Sequence, residues 1–237
     1  METREQIGQW YDGFAGKQLK TSVNLRHYKI MEYLAAAGLR RNNSVLEIGC
    51  GIGTLTGLLS KYLGKGEILA ADISPESVGI ARKRLSNASN VRFLVTDMTD
   101  FSHREVFDFI ILWDVLEHIP TDRHRSLFRT LADHMHDQSV ILIHIPHPRA
   151  LDYIRATSPE KMQIIDQSVE ADTLLADAYQ NGLTLIGYHS YSLFDRENDY
   201  AVITLRKKNN VSLSPLPKSN IILRKLFSRL RFLLSRL

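Results

Sequence analysis

At 237 residues, with 44% hydrophobic and 24% charged side chains, the chain is long enough for one full α/β domain with modest additions. Its net charge of +4 conceals an asymmetry, since residues 200–237 carry nine Lys or Arg and no acid, leaving 21 bases against 26 acids in the rest. An acidic body with a basic tail disfavours nucleic acid as the partner, and a single cysteine, Cys50, excludes an intrachain disulfide, a CxxC redox pair and a cysteine-ligated zinc cluster.

The chain opens METREQIGQW, charged from its second residue and without the apolar core of a signal peptide, and no apolar run is long enough to span a bilayer. We therefore expect a cytoplasmic protein. Aromatics at Trp10 and Tyr11 precede a helix predicted from Leu25 to Gly38, with Leu25, Tyr28, Ile30, Met31, Tyr33 and Leu34 as its apolar positions.

Ser44 to Ile48 is a short apolar strand that stops at three glycines spaced two apart, Gly49, Gly51 and Gly53, before a helix predicted from Thr54 to Tyr62. A glycine turn between a strand's carboxyl end and a helix's amino end is where an open α/β sheet binds its ligand. Glycine lets the backbone bend sharply and approach that ligand closely, with amide N–H groups left pointing outward. The dinucleotide fingerprint has its third glycine three residues after the second, whereas Gly53 is two after Gly51, and an acid, Glu47, sits within the strand.

Gly66 to Ala71 reads as a second strand, with Asp72 at its end, 19 residues beyond Gly53, where a carboxylate can accept both hydroxyl protons of a ribose. Ser74 and Pro75 then suit the N-cap and first turn of a helix through about Leu85. The third strand, Val91 to Val95, ends in Thr96, Asp97 and Met98; Asp97 also suits an ordinary turn or N-cap. Phe107 and Asp108 lead into a fourth strand, Phe109 to Leu112, ending at Trp113 and Asp114.

Taken together, motif SVLEIGCGIGT, the second-strand acid, the third-strand acid and the Phe-Asp lead-in to strand four resemble the class I S-adenosylmethionine (SAM) dependent methyltransferases over about residues 44 to 120. The resemblance implies a doubly wound, Rossmann-like α/β fold with a seven-stranded, mostly parallel sheet of order 3-2-1-4-5-7-6. It implies SAM as cofactor, with Glu47 toward the methionine amino group, Gly49 and Gly51 beneath the methionine and ribose, Asp72 on the ribose and Ile73 on the adenine. Asp97 would accept from the adenine amino group, with Met98 beside the ring; Trp113 and Asp114 would border the sulfonium. For the SAM carboxylate the lead-in offers Tyr11 and Arg26, with Lys20 behind them. His118 would face the methyl group as the candidate base.

Some chemistry is excluded. Methylation of adenine or cytosine amino groups typically uses Asp/Asn/Ser-Pro-Pro-aromatic where this chain has Trp113-Asp114-Val115-Leu116, cytosine C5 transfer needs a catalytic cysteine there, and radical SAM chemistry needs three cysteines.

A helix predicted from Asp122 to His134 leads to strand five, Ser139 to Ile145, which brings His144 and His147 to the same edge as His118. His118 and His144 are the catalytic candidates; each also suits an ordinary hydrogen-bonded polar residue. His144-x-x-His147 has the spacing of a metal pair, but no further ligand cluster follows, so no metal is assigned. Residues 148–182 lie where this fold builds its substrate site, and Tyr153, Gln163, Asp166 and Gln167, with His147, supply the donors and acceptors that a hydroxylated substrate requires. Leu183 to Tyr188 and Tyr200 to Leu205 read as a closing antiparallel pair around the charged loop Asp195 to Asp199.

We divide the chain into a methyltransferase-like domain with an N-terminal helical cap, residues 1–208, and a proline-containing linker with a basic amphipathic helix, residues 209–237. On that helix Ile222, Leu223, Leu226, Phe227, Leu230, Leu233, Leu234 and Leu237 share one face, and Arg224, Lys225, Arg229, Arg231 and Arg236 occupy the other. Such a helix suits an anionic membrane surface, on the inner face of the cell membrane, or a face packed on the body or a partner. The region after strand five is similar to bacterial methyltransferases associated with cell-surface polysaccharide biosynthesis. The expected reaction is O-methylation of a hydroxyl on a glycan or lipid-linked saccharide beside a membrane-associated glycosyltransferase complex. A quinone or lipid precursor, or a non-catalytic SAM-binding scaffold, are the alternatives.

Overall fold

Alternating apolar residues in successive strands make both faces of the sheet greasy, so helices must cover each. The computed structural model, which describes residues 4–18, 22–98, 101, 104–209 and 214–234, has that architecture. Seven strands run β1 (Ser44–Ile48), β2 (Glu67–Asp72), β3 (Val91–Val95), β4 (Phe107–Trp113), β5 (Met135–Pro146), β6 (Leu183–Tyr191) and β7 (Tyr200–Lys207), arranged in space as β3-β2-β1-β4-β5-β7-β6. β1 pairs in parallel with both β2 and β4, and only β7 runs backward, antiparallel to β5 and β6.

On one face Leu46, Ile48, Ile110, Leu112, Ile141 and Ile143 pack against Phe128 and Leu131 of α5 (His124–Asp133) and Leu174 of α7 (Ala171–Gln180). On the other, Val45, Ile68, Phe109, Ile111 and Leu142 meet Ile30 and Leu34 of α2 (Leu25–Ala36), Leu55 and Leu59 of α3 (Thr54–Leu63) and Val78 of α4 (Pro75–Arg84). The period of two along each strand sorts the residues in this way, and it puts Glu47 on the α3 side. Asn24 caps α2 by accepting the Arg26 N–H, and Ser74 caps α4 by accepting the Ser77 N–H.

Several elements are longer or more numerous than expected. Strand five starts at Met135 rather than Ser139, with a register shift between Phe107 and Phe109, and the closing strands extend to Tyr191 and Lys207. The helix expected from Asp122 enters through a 3-10 turn, Thr121–Arg123, immediately after Pro120. The N-terminal aromatics belong to a helix, α1 (Arg4–Gln18), and residues 148–182 hold α6 (Pro148–Thr157) as well as α7. The tail is helical over α8 (Lys218–Leu234), and its residues are exposed throughout. Among the described residues no helix is long and apolar enough to cross a membrane.

Candidate active site

The carboxyl ends of β1 and β4 part at the point where strand order reverses, and a cavity of about 370 Å³ opens there. Gly49, Gly51 and Gly53 all have positive φ, and a Cβ at Gly49 would overlap the Val115 side chain. The turn is welded to β2: Asp72 accepts the Gly51 N–H through Oδ2 at 2.7 Å and the Ser74 N–H through Oδ1 at 2.9 Å. Burial pushes the Asp72 carboxyl up, and those backbone bonds pull against it.

Glu47 lies beside this turn, 2% exposed, with Oε2 buried and unpartnered. Burial raises its carboxyl to about 8, opposed by the neighbouring Thr56 hydroxyl. A buried acid with a vacant oxygen on a cavity wall is a costly arrangement that a ligand N–H would relieve. With the glycine turn and the ribose-type acid Asp72, this donor and acceptor set fits SAM.

The cavity wall includes Tyr11, Arg26, Glu47, Gly49, Gly51, Asp72, Ile73, Asp97, Met98, Trp113 and Asp114, all the residues proposed for the cofactor. Lys20 lies outside the described residues. Arg26 is already engaged: Nη1 lies 2.8 Å from Asp114 Oδ2 and 3.1 Å from the Tyr200 hydroxyl. Met98 and Asp114 adopt positive φ, 67° and 46°, at the ends of the third and fourth strand segments. Burial pushes the Asp114 carboxyl up, but Arg26 and His144 outweigh it and hold it below the ordinary carboxylate range.

At the other end His118 also lines the cavity. Its Nδ1 lies 2.7 Å from the Ile165 carbonyl and 3.0 Å from Asp166, and its Nε2 lies 3.8 Å from Glu117. Burial opposes charge on this ring, yet Glu117 and Asp166 raise its pKa to about 9; burial raises Glu117 to about 8 against the pull of His118. Gln163 joins this end of the wall, with Oε1 buried and unpartnered and its N–H given to Asp166 at 2.6 Å.

Other residues expected at the site are placed elsewhere. His144 is fully buried behind Asp114 and off the cavity wall, with both ring nitrogens engaged. It meets the cavity wall through its contact with Asp114. His147 is likewise off the wall and caps α6, accepting the Arg149 N–H. Tyr153 is 68% exposed on α6, also off the wall. Gln167 clamps the insert to the turn after β4: its N–H donates to Glu117 O, its Nε2 to Ile119 O, and its Oε1 accepts the Thr121 N–H.

Ile7 of α1, His27 of α2 and Arg123, Ser126 and Leu127 around the start of α5 are among further wall residues that were not foreseen. The spacing of 123, 126 and 127 on one helix face was the available signal; for Ile7 there was none.

Comparison with known proteins agrees with this geometry. The family described as a methyltransferase domain matches residues 45–138. A malonyl-[acyl-carrier protein] O-methyltransferase of Bacillus cereus is 30% identical over 132 residues, 56% of this chain and 46% of that protein. Nodulation protein S of Sinorhizobium fredii is 28% identical over 94 residues, 40% of this chain and 42% of that protein. The chain thus spans under half the length of these curated relatives. Magnesium protoporphyrin IX methyltransferase from Synechocystis PCC 6803, solved with bound SAH (S-adenosylhomocysteine), superposes with a TM-score of 0.66 at 16% identity, covering 86% of this chain and 99% of that one. The fold is that of the class I methyltransferases, and the cofactor of this fold family is SAM.

Proposed function

We propose that this chain is a SAM-dependent methyltransferase that methylates a hydroxyl of a glycan or lipid-linked saccharide at the cytoplasmic surface of a membrane. The observation that carries the methyl-transfer reading is the vacant, buried oxygen of Glu47 beside the Asp72-anchored glycine turn. Glu47, the glycine turn, Asp72, Ile73, Asp97 and Met98 would hold the cofactor. When bound, SAM supplies a methyl group on a cationic sulfur that already leaves readily, so the protein chiefly aligns the acceptor and excludes water. Ile7 and Tyr11 cover the cavity from α1, which is fastened to the start of α4 where Asp12 bonds Ser74 Oγ and the Glu76 N–H.

The acceptor end supports a hydroxylated substrate because Gln163 Oε1 is a buried acceptor in want of a donor. His118 holds its Nδ1 proton against Ile165 O and Asp166, and takes a proton from a substrate hydroxyl through Nε2 only once the ring has lost its charge. The exposed apolar and basic faces of α8 support docking on anionic lipid, beside a membrane-associated glycosyltransferase complex. A second reading, methylation of a quinone or lipid precursor, draws on Ile119, Pro120 and Leu127, which make part of the wall apolar.

Incubating the protein with labelled SAM and fractionated cell envelope tests these readings. Label in a saccharide-bearing fraction is expected, and label in the quinone or neutral-lipid fraction would favour the second. Protein that binds SAH but labels nothing would point instead to a SAM-binding scaffold.

A further inference from the structure

Behind the cavity wall lies a buried polar cluster that the chemistry above does not use. Asp114 is its centre. An ionised carboxylate offers about four lone-pair sites, and protein donors reach this one three times: Arg26 Nη1 and Trp113 Nε1 each lie 2.8 Å from Oδ2, and His144 Nδ1 lies 2.7 Å from Oδ1. Asp114 also donates its own N–H to the His144 carbonyl at 2.8 Å, which fixes its left-handed backbone against β5.

His144 has no freedom of its own. Its Nε2 is 2.8 Å from the Tyr191 hydroxyl, and its ring stacks on Tyr200 with centroids 4.8 Å apart. One ring tautomer satisfies both contacts: Nδ1 donates to Asp114 while Nε2 accepts from Tyr191. The other tautomer would set a lone pair against the carboxylate. The Asp114 carboxylate, which can only accept, therefore selects the Nδ1–H tautomer; the Tyr191 hydroxyl, donating to Nε2, holds the ring in place, and His144 in turn fixes the plane of the Asp114 carboxylate.

Taking the cavity as the methyl-transfer site, we propose that His144 and Tyr191 form a positioning relay that holds Asp114 as a fixed hydrogen-bond acceptor on the cavity wall. The relay leaves one carboxylate lone pair for an N–H or O–H of the bound molecule. His144 is thus a positioning residue, whereas His118 and His27 are the histidines on the cavity wall.

Nuclear magnetic resonance on the full chain reads this without any ligand. The chain has two tryptophans, so Trp10→Phe assigns the indole N–H of Trp113, which is bonded to the same carboxylate. His144→Ala is expected to shift that signal and to speed its hydrogen exchange about tenfold, and to weaken SAH binding, measured by calorimetry, about tenfold. His144→Asn, whose amide nitrogen reproduces the Nδ1 donor, is expected to restore both to within about threefold of wild type. Tyr191→Phe keeps the ring packing and loses only the hydrogen bond that holds the His144 ring at Nε2; an intermediate effect is expected, and this variant carries the test if His144→Ala does not fold. An indole signal unmoved in Tyr191→Phe, or an Asn variant no better than Ala, overturns the relay. Wild-type protein that fails to bind SAH while the indole signals respond as described would sink the methyl-transfer reading and leave the relay standing.

Discussion

The Asp72 carboxylate accepts the backbone N–H of Gly51 at 2.7 Å, so the acid that ends β2 and the glycine turn that ends β1 are one mechanical unit. Removing the acid should therefore damage the turn as well as any ribose contact. Asp72→Ala strands two backbone donors, at about 1–3 kcal/mol for each one left unsatisfied. It is expected to lower the melting temperature and to weaken SAH binding by more than about tenfold. Asp72→Asn, which keeps an acceptor oxygen, is expected to lose less in both measurements.

Gly49 is constrained twice, by a φ of 76° and by the Val115 side chain where a Cβ would stand. Gly49→Ala is expected to destabilise the fold by about 1–2 kcal/mol from the backbone conformation alone, with more from the overlap. Gly49→Ala combined with Val115→Ala relieves the overlap and not the backbone strain, so thermal denaturation should show partial recovery. Full recovery would assign the whole cost to Val115.

Burial lifts Glu47 from its ordinary value of 4.5 to about 8, so between those values the folded chain retains a proton that the unfolded chain has released. Stability contributed by this group therefore falls as pH rises across that window. Glu47→Gln is expected to flatten the decline, with its stability relative to wild type growing from pH 5 to pH 8 in chemical denaturation. Glu117 and His118 add slopes of the same sign, so the decline should be reduced rather than abolished. A ligand ammonium at Glu47 would favour its charged form, so SAH binding near pH 6.5 should release protons, detectable as buffer-dependent heat in calorimetry.

His118 retains its proton up to about pH 9. If it receives the acceptor's proton, kcat/KM should climb with pH toward that value, and His118→Gln should remove the climb. Turnover unchanged in His118→Gln at every pH would leave His118 without a proton-transfer role.

Helix α8 exposes Leu226, Phe227, Leu230 and Leu233 beside its basic residues. Flotation with vesicles containing anionic lipid is expected to carry the full chain and to fail for Leu226→Glu/Leu230→Glu, and binding should weaken as salt is raised. Because these side chains are exposed, the melting temperature of that variant should match wild type within about 1–2 °C. Leu237 and Arg236, assigned to the two faces of this helix, lie outside the described residues.

The strands and the cofactor wall were legible because they rest on local signals: a glycine spacing, an acid at each strand end, an apolar period of two. The strand order followed only from the family resemblance that those signals carry. The network behind Asp114 was not legible. Arg26 meets Tyr200 across 174 positions and His144 meets Tyr191 across 47, and nothing local to any of them encodes the meeting. Arg26, read as a partner for the cofactor's carboxylate, lines the cavity and also pairs with Asp114, and His144, read as a catalytic candidate, lies behind Asp114 and off the wall. In the insert, Tyr153 and Gln167 carry the same polar signal as Gln163, but helix α6 turns the first outward and the turn after β4 captures the second.

Only β7 runs backward, and that reversal determines what furnishes the rear of the cavity. A forward strand would deliver its end to this edge, whereas β7 delivers its beginning, Tyr200, opposite Pro146, and the hairpin sets Tyr191 of β6 beside it. The loop between them, residues 192–199, thereby becomes a remote adjusting screw. Insertions or exchanges there, far from methyl donor and acceptor in the chain, would retune Asp114 without altering a single residue on the wall.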